Sequence, residues 1–221
     1  MTEPRAALAA VAAEGLSTDP ARRAEQIARV MSALTNACAK RGLRVALVGG
    51  SAIEVWAPGA HASDDTDVVV TGVSSGGPSL PERAAAVFQE LGFTKQGLGW
   101  SLGPIYVHVV GYDMYEPSVV VELGPLRFEV VEPEVPLADR IVGFKHWPNT
   151  TSYGQQAIAM LESLGDALDE ERLRERLIRE DALDALEALR ELMRSGVQIT
   201  EPTLSDLQQR LREPRRGGEK L

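Results

Sequence analysis

The chain has 221 residues, 44% hydrophobic and 25% charged, the proportions of an ordinary globular protein, which excludes disordered, collagen-like and fibrous classes. Its 23 basic and 32 acidic residues give a formal net charge of −9, which repels nucleic acid at long range and argues against a DNA-coating role. No apolar run approaches the roughly 20 residues that cross a bilayer, so a soluble protein with no membrane partner is expected. The single cysteine, Cys38, allows neither an intrachain disulfide nor a cysteine-based zinc cluster and fits a reducing, cytoplasmic location. Its own expected role is that of a small buried hydrophobe on a helix.

Residues 6–13 form an alanine-rich stretch bounded by Glu3 and Glu14. It is too weakly apolar for a secretory signal and is expected as a weak helix or frayed terminus. Asp19-Pro20 opens a helix with a capping residue and a proline at the first position, and Ile27, Val30, Met31, Leu34 and Cys38 follow at helical spacing until Gly42. Residues 44–48 are a valine-rich run ending in Gly49-Gly50, which predicts a buried strand entering a tight turn, with a short helix over 51–56. A second strand is expected over 66–71, leading to a flexible loop at 74–78. Ser79 and Glu82 make a capping box for a helix that Gly92 ends. Three further strands are expected at 105–110, 118–123 and 127–131, the last two as a hairpin about Gly124-Pro125.

Past Pro136 the period becomes helical, with helices expected at 137–146, 153–164, 169–178, 181–193 and 204–211, and with Asp169 and Asp181 as N-caps. The expected fold class is α+β. A mixed β-sheet core flanked by helices occupies 1–135, a helical subdomain 136–212, and a disordered tail 213–221.

Chemistry concentrates where the Gly49-Gly50-Ser51 turn is followed by Ser63-Asp64-Asp65-Thr66-Asp67. Side chains two apart on a strand project from one face about 7 Å apart, so Asp65 and Asp67 point together and Asp64 away. Two hard carboxylates at the start of a strand suit Mg²⁺ together with substrate phosphates. The glycines let backbone N–H groups approach a phosphate, and the helix that follows offers its positive end. For Ser51 two roles stay open, helix cap and phosphate donor. A calcium loop starting at Asp65 fails, because Val70 and Gly76 stand where it needs glycine and glutamate. A Rossmann turn at Gly49-Gly50 fails on spacing.

At these residues the chain resembles the nucleotidyltransferase superfamily, with its Gly-Gly or Gly-Ser turn and Asp-x-Asp on the next strand. It looks closest to the bacterial branch of AbiEii-type toxins and related proteins. There a Gly-x-Arg-x-Thr-x-Asp-x-Asp string is typical, and here it reads Gly59-Ala60-His61-Ala62-Ser63-Asp64-Asp65-Thr66-Asp67. The similarity extends over residues 25–195 and includes Pro136-Leu137-Ala138-Asp139-Arg140 and Lys145.

The resemblance implies a nucleotidyltransferase-like core with a substrate cleft against the helical part. Asp65 and Asp67 would hold Mg²⁺, Gly49, Gly50 and Ser51 would hold a nucleoside triphosphate, and Lys145 would reach the triphosphate. The acceptor hydroxyl could belong to a small molecule, a protein side chain or an RNA end. Relatives often carry a third carboxylate on a later strand, where this chain has His108, which could act as base, as metal ligand, as a core histidine, or as a mark of lost catalysis. Glu122 and Glu129 are the alternative third carboxylates. The competing function is a degenerate binding module with a protein partner in a toxin-antitoxin setting. The default roles are an exposed loop residue for His61, a surface lysine for Lys145, a core or rim residue for Trp100, and a solubilising terminus for Arg212, Arg215 and Arg216.

Overall fold

The structure, a computed structural model, describes residues 3–73 and 77–213. Much of the flexible stretch expected at 74–78, and residues 214–221 of the tail with Arg215 and Arg216, lie outside the described residues. The chain divides into two compact units, Met1–Pro136 and Leu137–Leu221.

In the first unit the elements run α1 (Glu3–Glu14), α2 (Pro20–Ala39), β1 (Leu43–Leu47), α3 (Gly49–Trp56), β2 (Thr66–Gly72), α4 (Leu80–Leu91), β3 (Thr94–Gln96), β4 (Gly99–Leu102), β5 (Ile105–Gly111), β6 (Ser118–Leu123) and β7 (Leu126–Val131). Asp19 accepts the Arg22 N–H at 2.8 Å to start α2, whose stripe of Ile27, Val30, Met31, Leu34 and Cys38 is buried. At α4 both halves of the Ser79–Glu82 capping box form, and Gly92 stops the helix at φ 95°. The N-terminal stretch is not a frayed end, because Leu8 and Val11 of α1 are fully buried and α1 packs on α2 and α4.

Among the described residues seven strands form one mixed sheet in the order β3-β4-β5-β2-β1-β7-β6. The pairs β2–β5 and β1–β7 are parallel, and β1–β2 and the β6–β7 hairpin are antiparallel. The sequence pattern does not mark β3 and β4, since β3 is short, polar and exposed along its length. Alternation sorts the two faces of the sheet. Leu43, Val45 and Leu47 of β1, Val68 and Val70 of β2, Ile105 and Val107 of β5, and Phe128 and Val130 of β7 join Met31, Leu34 and Phe88 in the core. The intervening residues Arg44, Asp67, His108 and Glu129 therefore share the other face.

The second unit continues α5 (Glu134–His146), which begins at the end of the first, into α6 (Thr151–Leu164), α7 (Glu170–Arg179), α8 (Leu183–Arg194) and α9 (Glu201–Arg212). Leu137, Ile141, Phe144, Met160, Leu173 and Leu186 are fully buried. Gly154 lets α6 lie close to α5, because a Cβ there would sit 2.8 Å from the Phe144 ring. Asp169 caps α7 as expected, accepting the Arg172 N–H at 3.1 Å. Asp181 does not cap α8. The helix starts at Leu183 after Ala182, and Asp181 takes φ 49° with its carboxylate 3.3 Å from Lys145 Nζ.

Candidate metal and phosphate site

Helix α3 begins at the end of β1, and its first residue, Gly49, has φ 64°. A Cβ there would lie 2.5 Å from Asp67 Oδ2, and one at Gly50 would lie 2.7 Å from His61 Nε2 and 3.0 Å from Ser63 Oγ. Gly49 thus admits the Asp67 side chain, and Gly50 those of His61 and Ser63, to the start of the helix, where the first turn's N–H groups have no intrahelical acceptors. Ser51 is 1% exposed and its hydroxyl donates to the Asp65 carbonyl at 2.7 Å. It sits inside α3, Val48 being the N-cap, so its hydroxyl fixes the path of the chain into β2.

Asp65 precedes β2 and Asp67 lies within it, both half-buried, while Asp64 is exposed. The parallel pairing of β2 with β5 sets His108 directly opposite Asp67, and its Nδ1 lies 3.3 Å from Asp67 Oδ1. Asp65, Asp67 and His108 each offer one donor atom, and these atoms all lie within 4.8 Å of one another. Burial and the neighbouring Asp65 charge push the Asp67 carboxyl above its ordinary range, against the opposing pull of His108. The aspartates are paired with no lysine or arginine among the described residues. Two carboxylates and an imidazole form a donor set suited to a divalent cation.

A buried network that sequence reasoning missed supports this group. Glu54 is 2% exposed; its Oε1 accepts the Ser63 N–H at 2.7 Å and its Oε2 accepts Arg23 Nε at 2.5 Å. Arg23 Nη2 also donates to the Ser63 carbonyl, so the peptide groups on both sides of Ser63 are held. The Ser63 hydroxyl donates to Asp65 Oδ1 at 3.0 Å. The sequence carried one sign of it, since Glu54 is the single charge in the apolar helix Gly49–Trp56. Burial pushes the Glu54 carboxyl upward, more than the Ser63 N–H and Arg23 draw it down.

The other residues named from sequence fall elsewhere. Lys145 is not a surface lysine. It is 7% exposed, and its ammonium lies 2.9 Å from Asp184 Oδ1 and also meets the Asp181 carbonyl, all within the second unit. Glu122 lies 3.6 Å from Arg127, and Glu129 pairs with Arg44 at 2.5 Å, so both carboxylates are engaged away from the Asp65–Asp67–His108 group. His61 is half-buried against Gly50 rather than exposed in a loop. Trp100 is 6% exposed, stacked on Phe88 with ring centres 5.3 Å apart, in the core. Cys38 is buried and its thiol is pushed up to about 12 by burial, leaving no reactive thiolate at neutral pH. Arg212 ends α9, exposed. No described helix is long and apolar enough to cross a membrane.

No protein-family model matches the chain, and no curated protein matches it. Among solved structures it is similar to an antigenic nucleotidyltransferase-like protein from Paracoccidioides brasiliensis, at 14% identity and a TM-score of 0.52, over 73% of this chain and 92% of that one. With its seven-stranded mixed sheet flanked by helices, the chain has a nucleotidyltransferase-like fold.

Proposed function

We propose that the protein is a divalent-metal-dependent nucleotidyltransferase. It would pass a nucleotidyl group from a nucleoside triphosphate to an acceptor hydroxyl: the acceptor oxygen bonds to the α-phosphorus, the bond to the β-phosphate oxygen breaks, and pyrophosphate leaves. The observation that carries this reading is the convergence of Asp65, Asp67 and His108 beside the glycines that open α3, on a nucleotidyltransferase-like fold.

In this reading Asp65 and Asp67 hold the cation, Mg²⁺ being the ion the superfamily resemblance implies. A bound cation supplies charge neutralisation at the transferring phosphoryl group. Gly49 and Gly50 bring Asp67, His61 and Ser63 against the start of α3, whose backbone N–H groups would take the triphosphate, while Ser51 and the Arg23–Glu54–Ser63 network keep Asp65 in place. Lys145, engaged with Asp181 and Asp184, supports the helical unit rather than the triphosphate. The string from Gly59 to Asp67 supports the AbiEii-type branch, and with it a cytoplasmic setting and a protein partner. A second reading, a catalytically silent nucleotide-binding module, draws on His108 standing where relatives often carry a carboxylate.

The test is thermal stability with each nucleoside triphosphate and a divalent cation, read beside pyrophosphate release. A ligand at a hundredfold excess over its Kd adds about 2.7 kcal/mol to stability. The expected result is a cation-dependent rise that the Asp65→Asn/Asp67→Asn double variant loses. Binding without pyrophosphate release across small-molecule, protein and RNA-end acceptors favours the silent module. No rise with any nucleotide overturns both.

A further inference from the structure

The third donor beside the aspartates is a nitrogen, and this decides which cation the group favours. Mg²⁺ takes oxygen ligands and gives up its waters reluctantly, whereas imidazole suits zinc and the later first-row metals. His108 is not a chance neighbour, since the β2–β5 ladder sets its backbone opposite that of Asp67. Its Nδ1 faces Asp67 Oδ1 at 3.3 Å, within the span of about 3 to 4 Å that separates two donors held by one ion at about 2.1 Å. Neither aspartate is neutralised by a lysine or arginine among the described residues, and one donor atom from each of Asp65, Asp67 and His108 lies within 4.8 Å of the others.

We infer that the Asp65–Asp67–His108 group is a mixed oxygen and nitrogen site that selects a first-row transition cation such as Co²⁺ or Zn²⁺ over Mg²⁺, with His108 binding through Nδ1. The inference rests on the reading of this group as a metal site and not on nucleotidyl transfer.

The experiment uses the full chain, stripped of metal and free of nucleotide. The chain has three histidines, so isotope-labelled histidine NMR resolves each ring, with single His61→Gln and His146→Gln variants as assignments. The expected result is that stoichiometric Zn²⁺ moves the His108 Nδ1 resonance while the same amount of Mg²⁺ does not. In parallel, Co²⁺ and Mg²⁺ affinities are measured by titration for the wild type and His108→Asp. An all-oxygen set should lower the Co²⁺ to Mg²⁺ affinity ratio by about tenfold.

An unmoved His108 resonance at saturating Zn²⁺, or an unchanged affinity ratio, overturns the inference. The resonance is read on the native chain, so a His108→Asp variant that fails to fold does not spare it. A His108 shift without any nucleotide stabilisation overturns the proposed function alone. Nucleotide stabilisation by Mg²⁺ with an unmoved His108 overturns this inference alone.

Discussion

A methyl group at Gly49 would meet the Asp67 carboxylate at 2.5 Å, on a backbone whose φ of 64° already disfavours any L-residue. Gly49→Ala is therefore expected to destabilise the protein by about 1–2 kcal/mol and to weaken cation binding, checked by urea unfolding and by titration with Co²⁺. At Glu54 the argument concerns protons. Its carboxyl is raised in the folded chain, so ionising it costs more folded than unfolded. Its contribution to stability is therefore full below the ordinary glutamate range and is lost as pH rises through its folded value. Glu54→Gln should remove that slope, which urea midpoints measured from the ordinary glutamate range upward to neutral pH would show; an unchanged slope would contradict the assignment.

Elements hold together by closing their own loose ends. The end of α5 carries carbonyls with no intrahelical partner, and Gln208 of α9 answers one of them, its Nε2 lying 2.5 Å from the Phe144 carbonyl and also 2.9 Å from that of Trp147, just past the helix. Gln208→Leu leaves the buried Phe144 carbonyl without that donor and should cost about 1–3 kcal/mol in urea unfolding. A side chain that only covered surface would show a smaller loss. The α7–α8 turn follows the same logic from the other direction. Local spacing makes Asp181 a helix cap, yet the buried ammonium of Lys145 takes both its carbonyl and its carboxylate, and the next helix starts two residues later. A buried charge outweighs a local capping preference, because leaving it unpaired costs more than an unfilled cap.

Across the whole molecule the excess of acid sets the long-range field. With a formal net charge of −9, the protein is expected to give no mobility shift with a short DNA duplex at about 0.15 M salt, which native gel electrophoresis would test. A firm, salt-dependent shift would show a basic surface that the composition hides. Each unit carries its own apolar interior, the first around Met31, Leu34 and Phe88 and the second around Ile141, Phe144 and Met160.

Local pattern by itself determined most elements of this protein. Helical spacing marked α2, the Ser79–Glu82 box marked α4, and valine runs marked β1, β2, β5, β6 and β7. Spacing two apart put Asp65 and Asp67 on one face, because side-chain direction alternates along any extended chain. The pairing of strands was decided only by the tertiary structure. It set β5 beside β2 and His108 opposite Asp67, and it sent Glu129 to Arg44 instead. It also joined Arg23 to Glu54 and Ser63, 31 and 40 residues further along the chain, whose polar groups find partners only once the surrounding apolar surface has excluded water. Parallel pairing and buried polar networks depend on contacts between distant segments, and no local period encodes them.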